Sequence, residues 1–339
     1  MLEHGGHVRA AAQRFRIPLS AWLDLSTGIN PNGWPVPSLP PECWQRLPEA
    51  DDDLLEVAQA YYRNDSILPV AGSQAAIQTL PLLRGHSRVG VLRPAYAEHA
   101  ANWRETGHRV IELEPADIEH ALTDLDVLII VNPNNPTGQE FEPEQLLHWH
   151  RLLQKRQGWL IIDEAFIDSR LEKSLTAHPV EEGLIVLRSL GKFFGLAGIR
   201  CGFVIGLPAL LQRLNDNLGP WAISHPSRYI ATQALKDSQW QQQTRAALLG
   251  QARRLRQLLS AYGLQPAGGT DLFQWIPSEQ AAEIHRFLAE RGILTRLFQH
   301  PSSLRFGLPG EERHWRLLQQ ALAALANKQP KRLTNHEYS

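Results

Sequence analysis

Near the middle of the chain the sequence reads Val127-Leu128-Ile129-Ile130-Val131-Asn132-Pro133-Asn134-Asn135-Pro136-Thr137-Gly138. Five apolar residues in succession, bounded by turn-forming residues, are typical of a fully buried strand in a parallel sheet. The Asn, Pro and Gly residues that follow supply turn geometry, which is one explanation of their presence. Two Asn-Pro steps in so short a segment are more than a turn requires, so a functional role for this turn is also considered.

Six further short apolar runs predict strands, and amphipathic segments such as 143–157 predict helices between several of them. Helices that alternate with buried strands favour an α/β fold, with a largely parallel seven-stranded sheet and helices on both of its faces. The six additional strands are predicted at Ile67–Val70, Val89–Leu92, Val110–Leu113, Leu160–Ile162, Leu184–Leu187 and Cys201–Ile205.

After Gly206 the pattern changes to long helices, predicted over Pro208–Asn217 and Ser227–Tyr262, and a smaller α/β unit follows them. In that unit we expect strands at Asp271–Ile276, Ile293–Arg296 and Ser303–Gly307, and helices at Glu279–Arg291 and Glu311–Ala326. The resulting domain prediction has an N-terminal segment joining the small domain (1–40), a large domain (41–235), a small C-terminal domain (236–326) and a flexible polar tail (327–339).

Composition and charge disfavour several functional classes. The 34 Lys and Arg residues against 35 Asp and Glu give a net charge of -1, with no basic excess to neutralise a nucleic acid. The two cysteines, Cys43 and Cys201, match no zinc or C-x-x-C spacing, so no metal site is expected and a reducing cytoplasm is favoured. No apolar run has the length of a signal peptide core or a membrane span, so neither export nor a membrane partner is expected.

Polar groups at the predicted strand ends are the candidate ligand-binding residues, because ligands of open α/β sheets bind beyond the carboxyl ends of the strands. Gly72-Ser73-Gln74 offers backbone N–H groups and a hydroxyl that would suit a phosphate, although the serine could simply cap a helix. Asp163 follows a buried strand, where a carboxylate needs a cationic partner unless it is a helix cap.

A lysine in an apolar, Gly-rich segment is a further candidate ligand-binding residue. Lys192 is followed by Phe193 and Phe194, and partial desolvation makes its amine a better nucleophile toward an aldehyde than a solvated surface lysine would be. Arg200, eight residues further, supplies a fixed charge for phosphate oxygens. Together with Asp163, these groups suit a ligand with an aldehyde, a phosphate and a basic ring nitrogen, which describes pyridoxal 5'-phosphate.

The ordered motifs Asn134-Asn135-Pro136-Thr137-Gly138, Asp163-Glu164-Ala165-Phe166, Ser189-x-x-Lys192 and Gly198-Ile199-Arg200-x-Gly202 resemble those of the fold type I pyridoxal-phosphate enzymes related to class I and II aminotransferases. The resemblance covers most of the chain. It implies that Lys192 links covalently to the cofactor, Asp163 pairs with the pyridinium nitrogen, Asn135 binds the ring O3' and Tyr96 stacks on the ring. Lys192 and Asp163 would be catalytic, and the cofactor phosphate would be held by Gly72, Ser73, Gln74, Ser189 and Arg200.

Within this superfamily the chain most resembles the threonine-phosphate decarboxylases of cobalamin biosynthesis, whose nearest relatives are histidinol-phosphate aminotransferases. The resemblance is carried by His4-Gly5-Gly6-His7-Val8-Arg9, by the segment 24–31, and by Phe166 where many aminotransferases have a tyrosine that bonds the cofactor O3'. It implies decarboxylation of L-threonine O-3-phosphate to (R)-1-amino-2-propanol O-2-phosphate.

The same resemblance implies a small amino acid phosphate as substrate and a homodimer with its sites at the interface. Asp52 stands where relatives carry a tyrosine that reaches the cofactor phosphate of the partner subunit, and a carboxylate would repel that phosphate. The implied substrate-binding residues are His4, Gly5, Gly28, Asn135, Arg296 and Arg305, with Gly28 standing where relatives have Asn.

Other functions stay open at this point. Decarboxylation and transamination need the same lysine, aspartate and arginines, so a histidinol-phosphate-type aminotransferase is the alternative. A noncatalytic pyridoxal-phosphate-binding regulator is a further one, although such proteins usually carry a DNA-binding domain for which the early position of segment 24–31 leaves no room. A nicotinamide-dependent dehydrogenase is disfavoured because no G-x-G-x-x-G follows the first strand.

Overall fold

A computed structural model describes residues 4–328 of the chain. The strands, numbered in chain order, are β1 Leu23–Asp24, β2 Ile67–Val70, β3 Arg88–Leu92, β4 Arg109–Leu113, β5 Val127–Val131, β6 Trp159–Asp163, β7 Leu184–Ser189, β8 Gly202–Ile205, β9 Gly268–Thr270, β10 Phe273–Pro277, β11 Ile293–Leu294, β12 Arg296–Phe298 and β13 Ser303–Gly307. The helices are α1 Val8–Phe15, α2 Glu42–Gln45, α3 Leu54–Tyr62, α4 Ser73–Thr79, α5 Ala97–Glu105, α6 Ile118–Ala121, α7 Pro143–Gln154, α8 Pro208–Leu218, α9 His225–Lys236, α10 Ser238–Ala261, α11 Ala281–Ala289 and α12 Glu312–Lys328.

The chain divides into two compact units. The first contains residues 29–250 and 268–272, and the second contains residues 4–28, 251–267 and 273–328. The N-terminal segment of the second unit therefore ends at residue 28, whereas the sequence predicted residue 40. The chain passes from the first unit to the second inside α10, after residue 250, whereas the sequence predicted a boundary after residue 235.

The first unit is built on a seven-stranded sheet with the strand order β2-β8-β7-β6-β5-β3-β4. Adjacent strands of this sheet are parallel, except that β8 is antiparallel to both β2 and β7. All five residues of β5 are buried, as the unbroken apolar run predicts for a strand covered on both faces. The predicted α/β fold with a largely parallel seven-stranded sheet is confirmed.

The register of this sheet determines where its polar strand ends meet. Val131 at the end of β5 lies opposite Asp163 at the end of β6, and β7 ends at Ser189. Because the three strands are parallel, the turn after β5, the carboxylate at the end of β6 and the segment that carries Lys192 all begin at one edge of the sheet.

The second unit contains two small sheets. Strands β1 and β11 form a parallel pair, and β13 lies antiparallel between β10 and β12. Arg296 of β12 is the direct cross-strand neighbour of Arg305 of β13, so both side chains leave the same face of this sheet.

Three element predictions need correction. The helix expected over Ser227–Tyr262 is two helices, because Asp237 leaves the helical conformation and its side chain accepts hydrogen bonds from Trp240 N and from Trp34 Nε1, each at 3.0 Å. The strand expected at Asp271–Ile276 begins at Phe273, and the strand expected at Ile293–Arg296 is divided between β11 and β12.

The C-terminal helix extends further than predicted. Asn327 and Lys328, placed in the expected tail, are the last residues of α12, and 329–339 lie outside the described residues. Over residues 4–328, no helix combines the length and the apolar character that a membrane crossing requires.

Candidate active site

A pocket opens at the carboxyl edge of the large sheet, within the first unit. It contains every residue that the sequence assigned to the cofactor except Gly72, which lies directly against Arg200. The lining residues are Ser73, Gln74, Tyr96, Val131, Asn135, Asp163, Ala165, Phe166, Ser189, Gly191, Lys192, Ala197 and Arg200. Five segments that are far apart in the sequence therefore meet at one site.

The buried carboxylate at the end of β6 has a histidine partner. Asp163 Oδ2 lies 3.0 Å from His99 Nε2, and both side chains are almost completely buried. The other carboxylate oxygen, Oδ1, accepts a hydrogen bond from Ala165 N at 3.1 Å. Asp163 thus accepts a hydrogen bond from the turn that follows β6 and has a histidine as its buried side-chain partner, and the expected helix cap is a turn instead.

Sequence reasoning missed His99. The residue lies three positions after Tyr96 at the start of α5, a spacing that places two side chains on the same side of a helix. The two rings pack edge to face at 6.1 Å between centroids. This spacing from a predicted ring-stacking residue was the available signal.

The segment between β7 and β8 places Lys192 in apolar surroundings. The Nζ atom lies 5.4 Å from the centre of the Phe166 ring, and Phe193 and Phe194 are fully buried. The desolvated setting expected from the flanking sequence is present, because an aromatic ring replaces water on one side of the amine.

Arg200, which lines the pocket, packs against the glycine turn at Gly72. Arg200 adopts a left-handed backbone conformation and donates from Nη1 to Ala197 O at 3.1 Å. A Cβ atom added at Gly72 would lie 2.8 Å from Arg200 Nη2, so the guanidinium can pack against this turn only if residue 72 is glycine. Ser189 Oγ, also in the pocket, accepts from Gly191 N at 3.2 Å.

Gln74 is held at both ends of its side chain. It donates from Nε2 to Glu98 Oε2 at 3.0 Å, and its Oε1 accepts from the Tyr96 hydroxyl at 3.1 Å. Burial, reinforced by the negative charge of Glu98, raises the pKa of Tyr96 to about 12. The Tyr96 hydroxyl is therefore protonated at neutral pH and donates to Gln74.

The Asn-Pro turn after β5 has both structural and site residues. Asn132 exchanges two side-chain hydrogen bonds with the backbone of Phe141, and Asn134 donates to Pro94 O and to Thr137 Oγ1. Asn135 instead lines the pocket. The turn explanation is thus correct for Asn132 and Asn134, while Asn135 is part of the pocket lining.

A buried ion network lies beside the pocket and was not predicted. Arg188 Nη1 lies 2.8 Å from Glu164 Oε2, and Arg188 Nη2 lies 2.5 Å from Asp168 Oδ1, with all three side chains fully buried. Tyr61 donates to the same Asp168 oxygen at 2.9 Å. Burial raises the pKa of Glu164, although Arg188 acts in the opposite direction. The network ties the residues next to Asp163 and Ser189 together.

In the second unit, Arg296 and Arg305 lie side by side. Arg305 is buried and donates from Nη2 to Ser26 O at 2.6 Å. Arg296 is half-buried and its Nη1 lies 3.5 Å from His4 O. Burial, together with the positive charge of Arg296, lowers the pKa of Arg305 to about 9. Two adjacent cations favour binding of an anion.

The N-terminal glycines pack on the same loop of the second unit. A Cβ atom at Gly5 would lie 2.3 Å from Ser26 O, so only glycine fits there, and Gly6 N donates to Ser26 Oγ at 2.8 Å. Gly28 adopts a φ of +63°, a conformation that glycine favours. Gly5 and Arg305 therefore both contact Ser26, and Arg296 lies between His4 O and Arg305.

Asp52 is bound within its own chain. Arg228 donates from Nε to Oδ2 at 2.7 Å and from Nη2 to Oδ1 at 2.5 Å. This two-pronged pair occupies both oxygens of the carboxylate. Among residues 4–328, no group of three or more His, Cys, Asp or Glu side chains is arranged to hold a metal ion.

Residues 44–325 match the family described as "Aminotransferase class I and II". The chain belongs to the class I and II aminotransferase family. Its family relatives include a protein named threonine-phosphate decarboxylase from Pseudomonas aeruginosa, 54% identical over 330 residues that cover 97% of this chain and 99% of the relative. A protein of the same name from Sinorhizobium sp is 39% identical and covers 95% and 98% of the two chains.

The fold of this aminotransferase family member is also found among solved structures. The histidinol-phosphate aminotransferase from Clostridium acetobutylicum superimposes with a TM-score of 0.80 at 23% identity, over 91% of this chain and 100% of that chain. This likeness establishes the fold. The family and the fold type predicted from the motifs are confirmed.

Proposed function

We propose that this protein is a pyridoxal 5'-phosphate-dependent decarboxylase of L-threonine O-3-phosphate that forms (R)-1-amino-2-propanol O-2-phosphate for cobalamin biosynthesis. The observation that carries the proposal is the convergence of Lys192, Asp163, Asn135 and Arg200 in one pocket. The choice of reaction within the family rests on the two nearly full-length relatives named threonine-phosphate decarboxylase.

The residues present fit the cofactor. The buried Asp163 would hold the ring nitrogen, and Asn135 would hold the ring oxygen O3'. Tyr96 would stack on the ring, and Lys192 would bind the aldehyde carbon. The phosphate would lie against Gly72, Ser73, Gln74, Ser189 and Arg200, where the glycine turn admits a guanidinium at close range.

The cofactor supplies an electron-poor ring that accepts the electron pair released when a bond to Cα breaks. Asp163 would stabilise positive charge on the ring nitrogen, and its contacts with His99 and Ala165 N fix the orientation of the carboxylate. In the reaction the bond between Cα and the carboxylate breaks, carbon dioxide leaves, and a proton is added at Cα. We assign delivery of that proton to the Lys192 amine or to a water molecule.

The substrate carries a carboxylate and a phosphate, and the second unit supplies the cations to bind them. Arg296 and Arg305 project from one face of a sheet, and the segment containing His4 and Gly5 lies against the same loop. We assign substrate binding to these four residues together with Gly28 and Asn135. Charge-assisted hydrogen bonds from arginine suit both anionic groups.

The test is the release of carbon dioxide from L-threonine O-3-phosphate by the purified protein with added pyridoxal 5'-phosphate. Enzymatic release that Lys192→Ala abolishes and Lys155→Ala leaves intact is expected; Lys155 is an exposed lysine just after α7. Formation of glutamate from histidinol phosphate and 2-oxoglutarate, without release of carbon dioxide from L-threonine O-3-phosphate, would instead identify an aminotransferase.

We also propose a homodimer with its sites at the interface and a cytoplasmic location. The first unit exposes large apolar side chains, with Trp44 68% and Trp221 59% accessible, which suit burial against a second copy of the chain. Light scattering should give the dimer mass, and Trp44→Ser with Trp221→Ser should reduce it. Cys43 and Cys201 are both buried free thiols, which suits a reducing compartment, and cell fractionation tests that location.

A further inference from the structure

The main chain that follows the pocket lysine is held by a second segment of the first unit. Lys192 O accepts a hydrogen bond from Asn30 N at 3.0 Å, and Phe194 O accepts one from Trp34 N at 2.8 Å. Between them, Phe193 O accepts from Asn30 Nδ2 at 2.9 Å. Three consecutive carbonyl groups, starting with that of Lys192, are therefore bound by donors from residues 30–34.

Glycines allow this close contact between two backbones. A Cβ atom at Gly195 would lie 2.5 Å from Gly33 Cα and 2.9 Å from Asn30 O, and one at Gly33 would lie 3.0 Å from Phe194 O. Gly195 also has a φ of +69°, which disfavours any other residue. The two segments are packed without space for a side chain between them, so a shift of one is transmitted to the other.

Asn30 uses both ends of its side chain in this contact. Its Oδ1 accepts from Asn32 N at 3.0 Å, which closes the turn of its own segment, and its Nδ2 binds Phe193 O. The side chain is 3% exposed. A buried amide with both ends bonded has a defined orientation, and removal of one partner leaves a buried polar group unsatisfied.

We propose that Asn30 is a positioning residue for Lys192. Its backbone N–H and its side-chain amide hold the carbonyls of residues 192 and 193, and this fixes the point from which the lysine side chain extends into the pocket. A displacement of about 1 Å of a reacting group can lower a rate roughly 100-fold, so main-chain position matters here. The inference rests on the proposed role of Lys192 and assigns a task to a residue of segment 24–31 that the resemblance left without one.

The matched test is Asn30→Asp in the cofactor-loaded enzyme. Aspartate keeps the oxygen that accepts from Asn32 N but replaces the donor to Phe193 O by a second oxygen, which repels the carbonyl. We expect kcat for carbon dioxide release to fall at least about tenfold while KM changes little, since the residue acts through the lysine rather than on substrate. Asn32→Asp adds the same charge at an exposed position two residues away and should leave both constants unchanged.

A second measurement distinguishes a positioning role of Asn30 from an effect on stability alone. It does not depend on which reaction the enzyme catalyses. The visible absorbance of the substrate-free, cofactor-loaded protein is titrated with pH, because it reports on the linkage to Lys192 whatever the substrate is. Asn30→Asp should shift the midpoint of this titration, and Asn32→Asp should not. If wild type releases no carbon dioxide, the proposed reaction fails, but this titration still tests Asn30.

Two results would overturn the proposal. One is an Asn30→Asp protein with the wild-type kcat and titration midpoint and only a lower unfolding midpoint in urea. If Asn30→Asp does not fold, Asn30→Ser replaces it with the same expected shift, and hydrogen exchange of the wild-type protein is measured as well. Fast exchange of the Asn30 and Trp34 amide hydrogens in the native protein is the other contrary result, because the contact would then not be held.

Discussion

His99 Nε2 lies 3.0 Å from Asp163 Oδ2 at the end of β6, and both side chains are almost completely buried. The imidazole is the polar side-chain partner that orients the carboxylate toward the pocket. His99→Phe should lower kcat by roughly 10-fold to 100-fold, because a hydrogen bond to a charged group contributes about 1.5–3 kcal/mol. Steady-state kinetics provide the measurement.

His108→Phe is the control for this prediction. His108 is also buried, and its Nε2 lies 3.0 Å from Pro81 O, but it does not line the pocket. Its replacement should reduce stability while kcat is retained. Full activity of His99→Phe would show that Asp163 needs no such partner.

The pair Asp52–Arg228 should contribute measurably to stability. Its side chains are 28% and 10% exposed and share two hydrogen bonds, so Arg228→Met should lower the free energy of unfolding by about 1.5–3 kcal/mol. The neighbouring pair Asp53–Lys236 is 66% and 46% exposed, and Lys236→Met should cost less than about 1 kcal/mol. Urea unfolding compares the two variants, and equal losses would contradict the prediction.

Gly250→Ala should stabilise the protein by about 0.5–1 kcal/mol. Gly250 is an interior residue of α10, and a Cβ atom added there would meet no atom within 4 Å. Gly202→Ala is the opposite case, since its Cβ would lie 2.6 Å from Arg188 O and 2.7 Å from Ser73 N. Thermal unfolding should move up for the first variant and down for the second, and a destabilised Gly250→Ala would mean that the glycine has an unrecognised role.

Substrate affinity should weaken at alkaline pH, because burial and the positive charge of Arg296 lower the pKa of Arg305 to about 9. Arginine in an unfolded chain has a higher pKa and keeps its proton to higher pH, so between the two pKa values the unfolded state binds more protons and this group's contribution to stability increases with pH. Affinity for an anionic substrate should instead fall as the pH rises, so KM should increase.

The second cause of this shift can be removed separately. Arg296→Gln takes away a neighbouring positive charge, which should raise the pKa of Arg305 and move the increase in KM to higher pH. The absolute KM will also change, so the midpoint of the pH dependence is compared. An unchanged midpoint would show that the two arginines do not interact.

The sequence predicted the sheet well because its central strands are unbroken apolar runs. Val127–Val131 is the clearest case, since five apolar residues in a row leave no face for water. Asp163, Lys192 and Arg200 were found from their chemistry close to strand ends, and Asn135 from the family motif; the structure brings all four together in one pocket.

Partnerships between distant residues could not be predicted. His99 is 64 positions from Asp163, and Asn30 is 163 positions from Phe193, so their pairing depends on the folded topology. The break at Asp237 has the same origin, because Trp34 Nε1, which binds its side chain, is 203 positions away. A single aspartate in an otherwise helical pattern gives too weak a local signal.

The pairing of β2 with β8 has a consequence for how the chain is made. In the described part of the chain, β2 lies at the edge of the large sheet and its one neighbour is β8. During translation the glycine turn after β2 leaves the ribosome early but has no strand beside it until Ile205 has followed. A polypeptide released before Gly202 would contain that turn without its neighbouring strand, so the turn can reach its folded environment only after β8 has been made.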